Sequence, residues 1–428
     1  MRHPVAPPAL GFNVYGYLSA NLGLGVSARN TVGMLLVNGF GVRLTDVDPG
    51  GGMRGRDTSL AAEIARSASL DPFAINLFHI NPDQILYLLD PLRPIVAIDG
   101  RLNAAVPFWE LPKLPDSWLA PLAAMDVILA PTLFIRDAVL AALPDADVVH
   151  FPQAVRLPEG IVGNRAKFDL PDGAVIFVSS FDMRSDIERK NPFGAIEAFV
   201  RAFPNRDDVR LVVKANNVDT VAGLPRHLQR LREYSADPRV TILSQPMSYT
   251  EILTLYASCD VLVSLHRAEG LGLSLLEAMS LGVPVVATAW SGNMDFCTPD
   301  NSCLVPFDMV PVKASTQPAY GKGMAGAQSW AEPRLDDAAA WLRRLADEPA
   351  LRSSIGKAAV LSAARIRDEY DRGDVARAVA ERQHRIGSFA HQEHESQIRS
   401  FRRGYWWNMA RRLSRSAMRR VRARLGID

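Results

Sequence analysis

Apolar and polar positions follow two alternating periods along most of this chain. Runs such as "FNVYGY", "VRLTDV", "FAINLFHI", "PIVAID" and "DVILAP" are short, apolar and rich in β-branched or aromatic residues, which predicts strands as far as Pro131. Between them, "VSARNTVGMLLVNG" and "TLFIRDAVLAAL" repeat their apolar residues at helical spacing. A second series follows, with strands at "AVIFVSSF", "VRLVVKA", "VTILSQ", "DVLVSLH" and "PVVAT" and helices at "NPFGAIEAFVRAF", "LPRHLQRLREYS", "YTEILTLYAS" and "SLLEAMSLG". Past Ser291 a loop-rich stretch leads to helices near Ala338–Leu345 and Ser353–Arg367. Strands alternating with helices predict βαβ units and parallel sheets, an α/β fold. The proline-bearing "FPQAVRLPEGIVGNR" divides the two series and reads as an interdomain linker. The expected organisation is one α/β domain over residues 1–155, a second over 156–385, and a separate tail over 399–428.

Size and composition agree with two cores: 428 residues exceed one ordinary domain, and 48% are hydrophobic. Cys259, Cys297 and Cys303 have no metal-like spacing and cannot all pair, and the N-terminal "MRHPVAPPALGF" lacks the apolar core of a signal peptide. No apolar run approaches the roughly 20 residues that cross a bilayer. A cytoplasmic protein is expected, with any membrane contact peripheral.

The net charge of +2 hides an asymmetry, because residues 399–428 carry ten arginines and one acid. In that tail Trp406, Met409, Leu413, Ala417, Val421 and Leu425 recur at three or four, laying one apolar stripe along a helix with arginines on its other faces. Tyr405, Trp406 and Trp407 have amphipathic rings suited to a headgroup region. The pattern favours an anionic membrane surface over packing on the acidic body, and either over nucleic acid.

Three glycine-rich or charged turns carry candidate chemistry. In "NLGLGVSARN", Gly23, Gly25 and Ala28 form G-x-G-x-x-A at a helix start, where free N–H groups and close backbone approach suit a phosphate. Asp46, about twenty residues on, invites a dinucleotide reading, yet "FNVYGY" ends too far before Gly23 for the tight turn that fingerprint needs. A plain structural turn is the other alternative. In "RKNPFGAIEAF", Arg189 and Lys190 precede the expected N-cap Asn191 and Pro192 at the first helical position. Cations at a helix start oppose its dipole unless an anion joins them, so a diphosphate or a solvated basic turn is expected. In "EGLGLSLLEAMSLGVPVVAT", Glu269 stands in a turn at a strand's C-terminal edge, where parallel sheets bind ligands. Glu277 has a structural alternative: Ser274 as N-cap with Glu277 three residues on makes a capping box.

"RKNPFGAIEAF" with "HRAEGLGLSLLEAMSLGVPVVAT" resembles the retaining glycosyltransferases of family four, glycosyl transferase group one, and "FWELPKLPDSW" resembles a bacterial polysaccharide-assembly branch of them. The resemblance extends to about Gln383. It implies the GT-B fold, two facing Rossmann-like domains with a cleft between them, joined here by a basic amphipathic C-terminal helix. It further implies that Arg189 and Lys190 neutralise a nucleotide diphosphate, that Glu277 holds the ribose hydroxyls, and that Glu269 lies against the donor sugar, with the N–H groups of Gly270, Leu271 and Gly272 facing phosphates and sugar. The implied reaction is retaining hexosyl transfer from a nucleotide-diphospho-sugar, without cofactor or metal, to a growing, lipid-linked surface glycan at the inner face of the plasma membrane. Where many relatives have Gly-Arg, this chain has Phe181 and Asp182, and Arg184 is a candidate substitute.

Other positions carry paired expectations. His79 matches the place of a histidine near the sugar or is a satisfied structural histidine. Glu110 faces the acceptor or fixes its loop, and Ser291 and Gly292 approach the phosphates or form only a turn. Asp46-Val47-Asp48 reads as a strand-end turn rather than a metal site, and His391, His394 and Glu395 as a solvated charged face. The rival functions are an NAD-dependent oxidoreductase built on "GLGVSA" and a non-catalytic sugar-nucleotide-binding scaffold.

Overall fold

The computed structural model describes residues 9–48, 57–88, 96, 98–218, 225–312 and 328–400. The amphipathic tail beyond residue 400, and half of the expected strand "PIVAID", lie outside the described residues.

The first half runs β1 (Phe12–Gly16), α1 (Gly23–Val37), β2 (Val42–Asp46), α2 (Ala61–Ser67), β3 (Ile75–His79), α3 (Pro82–Leu88), β4 (Leu102–Ala105), α4 (Asp116–Ala123), β5 (Val127–Ala130), α5 (Leu133–Ala142) and β6 (Val148–His150). Its six strands form one sheet, in order β2-β1-β3-β4-β5-β6, and every pairing is parallel. Residues 151–165 then pass without helix or strand. The second half runs β7 (Val175–Asp182), α6 (Ile187–Lys190), α7 (Pro192–Ala202), β8 (Val209–Asn216), α8 (Pro225–Tyr234), β9 (Val240–Leu243), α9 (Tyr249–Ala257), β10 (Val261–Ser264), α10 (Leu273–Ser280), β11 (Val285–Thr288), β12 (Cys303–Val305), β13 (Phe307–Pro311), β14 (Ser329–Pro333), α11 (Leu335–Asp347), α12 (Pro349–Asp371) and α13 (Asp374–Glu381). A second parallel sheet has the order β12-β11-β10-β7-β8-β9, beside the hairpin β13-β14. Both sheets are buried on two faces, which is why their strands read as near-continuous apolar runs.

The fourth strand differs from expectation: it is "LNAA", Leu102–Ala105. Its polar Asn103 disguises it. In the sheet Asn13, Asn76 and Asn103 are laterally paired neighbours, and their amides form a buried chain, Asn13 Nδ2 to Asn76 Oδ1 at 3.0 Å and Asn76 Nδ2 to Asn103 Oδ1 at 2.8 Å. Buried amides satisfied in this way cost little, so a strand can carry them.

After α12 the chain returns to the first sheet. Tyr370 stacks on Phe151 and its hydroxyl lies 2.9 Å from Thr31 Oγ1, and Arg382 and Arg385 both pair with Asp147. Residues 389–400 are helical. His391, His394 and Glu395 on that stretch do not form the expected solvated face: His391 is 2% exposed, and Nδ1 atoms of His391 and His394 both reach Asp126 Oδ1, at 2.9 and 3.0 Å. Glu395 accepts from Gly100 N. No helix among the described residues is long and apolar enough to cross a membrane.

Candidate active site

Local chain geometry sets the positions of the charged groups. Asp186 caps α6 by accepting from Arg189 N at 2.8 Å, and α6 ends at Lys190. Asn191 then takes a left-handed conformation, φ 48°, ending α6 and capping α7 through its Oδ1, which accepts from Gly194 N at 3.1 Å. Pro192 follows at the first helical position, as expected. The unexpected turn α6 answers the puzzle of two cations at a helix start: Arg189 and Lys190 are also the last residues of the preceding turn, where the carbonyl end favours positive charge.

The second turn follows β10. Glu269 N donates to Ser291 Oγ at 2.7 Å, and Glu269 O accepts from Gly292 N at 2.9 Å. A Cβ on Gly292 would lie 2.0 Å from Gly270 O, so that close approach requires glycine. Ser291 and Gly292 therefore buttress the turn from behind and do not line the cavity. Gly272, at φ +87°, begins α10. This corrects the capping-box expectation: the N-cap is Gly272, with no side-chain cap, and Ser274 already lies inside the helix. The capping box belongs instead to Ser248 and Glu251 at the start of α9. Glu277 is thus released from any capping duty.

The two glutamates have opposite electrostatic surroundings. Burial alone would raise the Glu269 pKa, but Lys190, Arg189 and His266 outweigh it and hold the carboxyl at about 2. Lys190 Nζ donates to Glu269 Oε1, and Arg189 Nη1 lies 3.3 Å from Oε2. Glu277, 5% exposed, is pushed up to about 8 by burial, with the Tyr249 hydroxyl opposing the shift.

These groups meet in a cavity of about 380 Å³ between the C-terminal edges of the two sheets, a size suited to a small ligand. Glu269, Arg189, Lys190, Glu277, Gly23, Gly270, Leu271 and Gly272 all line it. Arg189 is 4% exposed and largely committed: Nη1 donates to Ala268 O at 2.7 Å, and Nη2 lies 3.4 Å from Glu110 Oε1, across the cleft. Lys190 is the more accessible cation of the pair. Gly25 does not line the cavity, and a Cβ there would meet Ala20 O at 2.3 Å and Tyr17 O at 2.7 Å, so it lets residues 17–22 fold against α1. His79 is also outside the lining. It is fully buried behind Phe108, its Nε2 3.0 Å from Ser27 Oγ, and burial depresses its pKa to about 3. Among the described residues its Nδ1 is buried without a hydrogen-bond partner, so the ring is not the satisfied histidine of the structural alternative.

Of the groups at this edge, Asp182 and Arg184 stood out in the sequence, whereas Lys214 and Tyr249 did not. Asp182, at the end of β7, accepts from Arg184 N and Asn217 Nδ2, both at 2.8 Å, and burial raises its pKa. Arg184 lines the cavity beside it. Lys214 is fully buried, its pKa lowered to about 8, and its Nζ ties Ala215 O to Gln245 O below the same edge. Tyr249 reads as an ordinary apolar helix position, and nothing in its spacing announces a partner for Glu277. Asp46 accepts from Ser19 N and Oγ, a strand-end turn as expected. Among the described residues no group of three or more His, Cys, Asp or Glu side chains is set to hold a metal ion.

Two facing parallel-sheet domains with a cavity at their opposed edges make up the GT-B fold. The described chain has that fold in common with a sucrose-phosphate synthase from Thermosynechococcus elongatus (TM-score 0.60, 16% identity, 86% of this chain and 99% of that one). It is similar also to Anabaena HepE in complex with UDP and glucose (0.57, 12%, 87% and 100%) and to the lipopolysaccharide outer core galactosyltransferase WaaB (0.55, 14%, 87% and 99%). Residues 165–307 match the family described as glycosyl transferases group 1, and this matched segment carries Lys190, Glu269 and Glu277. A D-inositol 3-phosphate glycosyltransferase of Mycobacterium tuberculosis is 33% identical over 107 residues, 25% of this chain. That alignment spans 22% of the relative's length.

Proposed function

We propose that the protein is a retaining, metal-independent hexosyltransferase that moves a sugar from a nucleotide-diphospho-sugar to a hydroxyl of a growing, lipid-linked surface glycan. The observation that carries this reading is the convergence of Lys190, Glu269 and Glu277, from two separate segments, on one interdomain cavity. Lys190 is a cation for the leaving diphosphate, where negative charge develops as the bond breaks. Glu277 faces the ribose diol and Glu269 the hydroxyls of the donor sugar. With no dedicated base needed, the acceptor oxygen attacks the anomeric carbon from the face that the diphosphate leaves. The C–O bond to phosphate breaks, and the departing phosphate oxygen takes the acceptor's proton. The similar fold of Anabaena HepE, which binds UDP and glucose, and that of a lipopolysaccharide outer core galactosyltransferase support a nucleotide-sugar donor and a surface-glycan acceptor.

Thermal-shift screening in EDTA with GDP, UDP, dTDP and NADH tests the reading, since a ligand of the folded state stabilises by RT ln(1 + [L]/Kd). A nucleoside diphosphate is expected to raise the melting temperature. Stabilisation by NADH alone would instead support the oxidoreductase reading, and binding without transfer to any acceptor the scaffold reading.

A lipid-linked acceptor requires the cleft to work at a membrane, and the arginine-rich tail supplies the contact, at the cytoplasmic face. Deleting residues 401–428, which leaves the docked 389–400 helix intact, is expected to abolish sedimentation with anionic liposomes while transfer to a short soluble acceptor survives. Failure of the full chain to bind such liposomes at low salt would remove the membrane part of the proposal.

A further inference from the structure

The peptide units around Glu269 are fixed from three sides. Ser291 Oγ takes the Glu269 N–H, Gly292 N–H takes the Glu269 carbonyl, and both belong to the same domain as the turn. The third hold comes from the other side of the cleft. Thr132, fully buried before α5, donates its Oγ1–H to Gly270 O at 3.0 Å while the same oxygen accepts from Ile135 N at 3.3 Å. One hydroxyl therefore caps a helix of the first domain and grips the glycine turn of the second.

Neighbouring contacts align the grip. Leu133 N donates to Asp295 Oδ2 at 2.8 Å, and His150 Nε2 lies 3.0 Å from the same oxygen. Asp295 ends the short turn that starts beside Ser291, the residue holding Glu269 N. Phe134 meets Trp290 edge to face at 5.8 Å, and Trp109 O stands 2.9 Å from where a Gly270 Cβ would be. The first domain thus touches the turn and its buttress together.

We propose that Thr132 is a positioning residue for the reaction at Glu269: its bond to Gly270 O, made from the other domain, orders the turn that carries Glu269. The inference rests on the glycosyltransferase reading for its kinetic consequence, and on geometry alone for its structural one. Loss of a fixed hydrogen bond next to a reacting group lowers turnover more than it lowers ground-state affinity when the group is needed mainly in the transition state.

Three variants separate the two duties of the hydroxyl. Thr132→Ser keeps cap and donor, Thr132→Asp keeps the cap but cannot donate to Gly270 O, and Thr132→Val loses both. Hydrogen exchange of the unliganded full chain is read at a peptide covering residues 268–276 and at one covering α5. The expected result is exchange at 268–276 faster by on the order of tenfold in the Asp and Val variants, wild-type behaviour in Ser, and a disturbed α5 in Val only. Under the glycosyltransferase reading, kcat falls similarly in Asp and Val with donor KM little changed, and Ser restores it. Unchanged exchange at 268–276 in Thr132→Asp would overturn the proposal whether or not transfer activity is found. Absence of transfer by the wild-type chain, with the exchange pattern as expected, would count against the function and leave Thr132's hold on the turn standing.

Discussion

Glu269 and Glu277 show how the same side chain takes two charge states in one cavity. Glu269 is ionised by its cations, whereas burial pushes Glu277 up to about 8 against the opposing effect of the Tyr249 hydroxyl. Ribose hydroxyls donating to Glu277 favour its charged form, so its pKa falls on binding. Nucleoside diphosphate binding at pH 7 is therefore expected to release a proton, read by calorimetry in buffers of different ionisation enthalpy, and Glu277→Gln is expected to diminish that release. An equal release in the variant would mean that the proton comes from elsewhere. Lys190→Ala is expected to weaken diphosphate affinity by about 10- to 100-fold, the loss of one charge-assisted bond, in the same titration. Glu269 was legible in sequence because a charged residue in a glycine turn has no folding role to hide behind, and Lys190 because a cation before a helix start opposes its dipole. The burial of His79 was not legible, because a strand-end histidine looks the same from sequence whether Phe108 covers it or not.

At the scale of elements, the hinge between α6 and α7 is where sequence and geometry meet most closely. Asn191 supplies a left-handed turn, a cap for α7 and a bond from Nδ2 to Leu265 O at 2.8 Å. Asn191→Ala loses all three and is expected to destabilise the fold by about 2 kcal/mol, the sum of a cap and a buried acceptor left unpaired. Chemical denaturation checks this, and a change within error would mean that Lys190 does not depend on that hinge. Long strands and amphipathic helices were legible because period and length agree. Short α6 was not, having too few residues for a period, and β4 was hidden by Asn103, whose polarity makes sense only beside Asn76. Ser274 was misassigned as a cap because S-x-x-E recurs by chance, and only the left-handed Gly272 shows where α10 starts.

Across the whole molecule, the C-terminal return ties the halves together, and its last clasp is ionisable. Burial would raise the Asp126 pKa, but hydrogen bonds from His391, His394 and Asn103 N hold it below 3.8, while the bond to Asp126 raises His391 above 6.5 despite burial. Facing charges are His394 and Glu395 on the helix, Arg399 one turn on, and Asp99 across from Arg399. The Asp126 contribution is complete above its unfolded pKa and is lost as pH falls through the lowered folded value. The His391 contribution is complete below 6.5 and is lost as pH rises through the raised one. The melting-temperature gap between wild type and His391→Phe is thus expected to be largest near pH 5 to 6, between the two unfolded values, and to shrink at pH 9. A gap independent of pH would mean that the clasp works through packing alone. Sequence could not show this contact, since Asp126 and His391 are far apart in the chain and each alone looks like a surface residue.

The central claim is that the interdomain cavity holds a nucleotide diphosphate between Lys190 and Glu277. A crystal structure of the full chain with a nucleoside diphosphate tests it most directly. The expected result is a diphosphate within hydrogen-bond distance of Lys190 Nζ and ribose hydroxyls on the Glu277 carboxyl. A nucleotide seated instead at the start of α1, touching Gly23 but neither Lys190 nor Glu277, would contradict it.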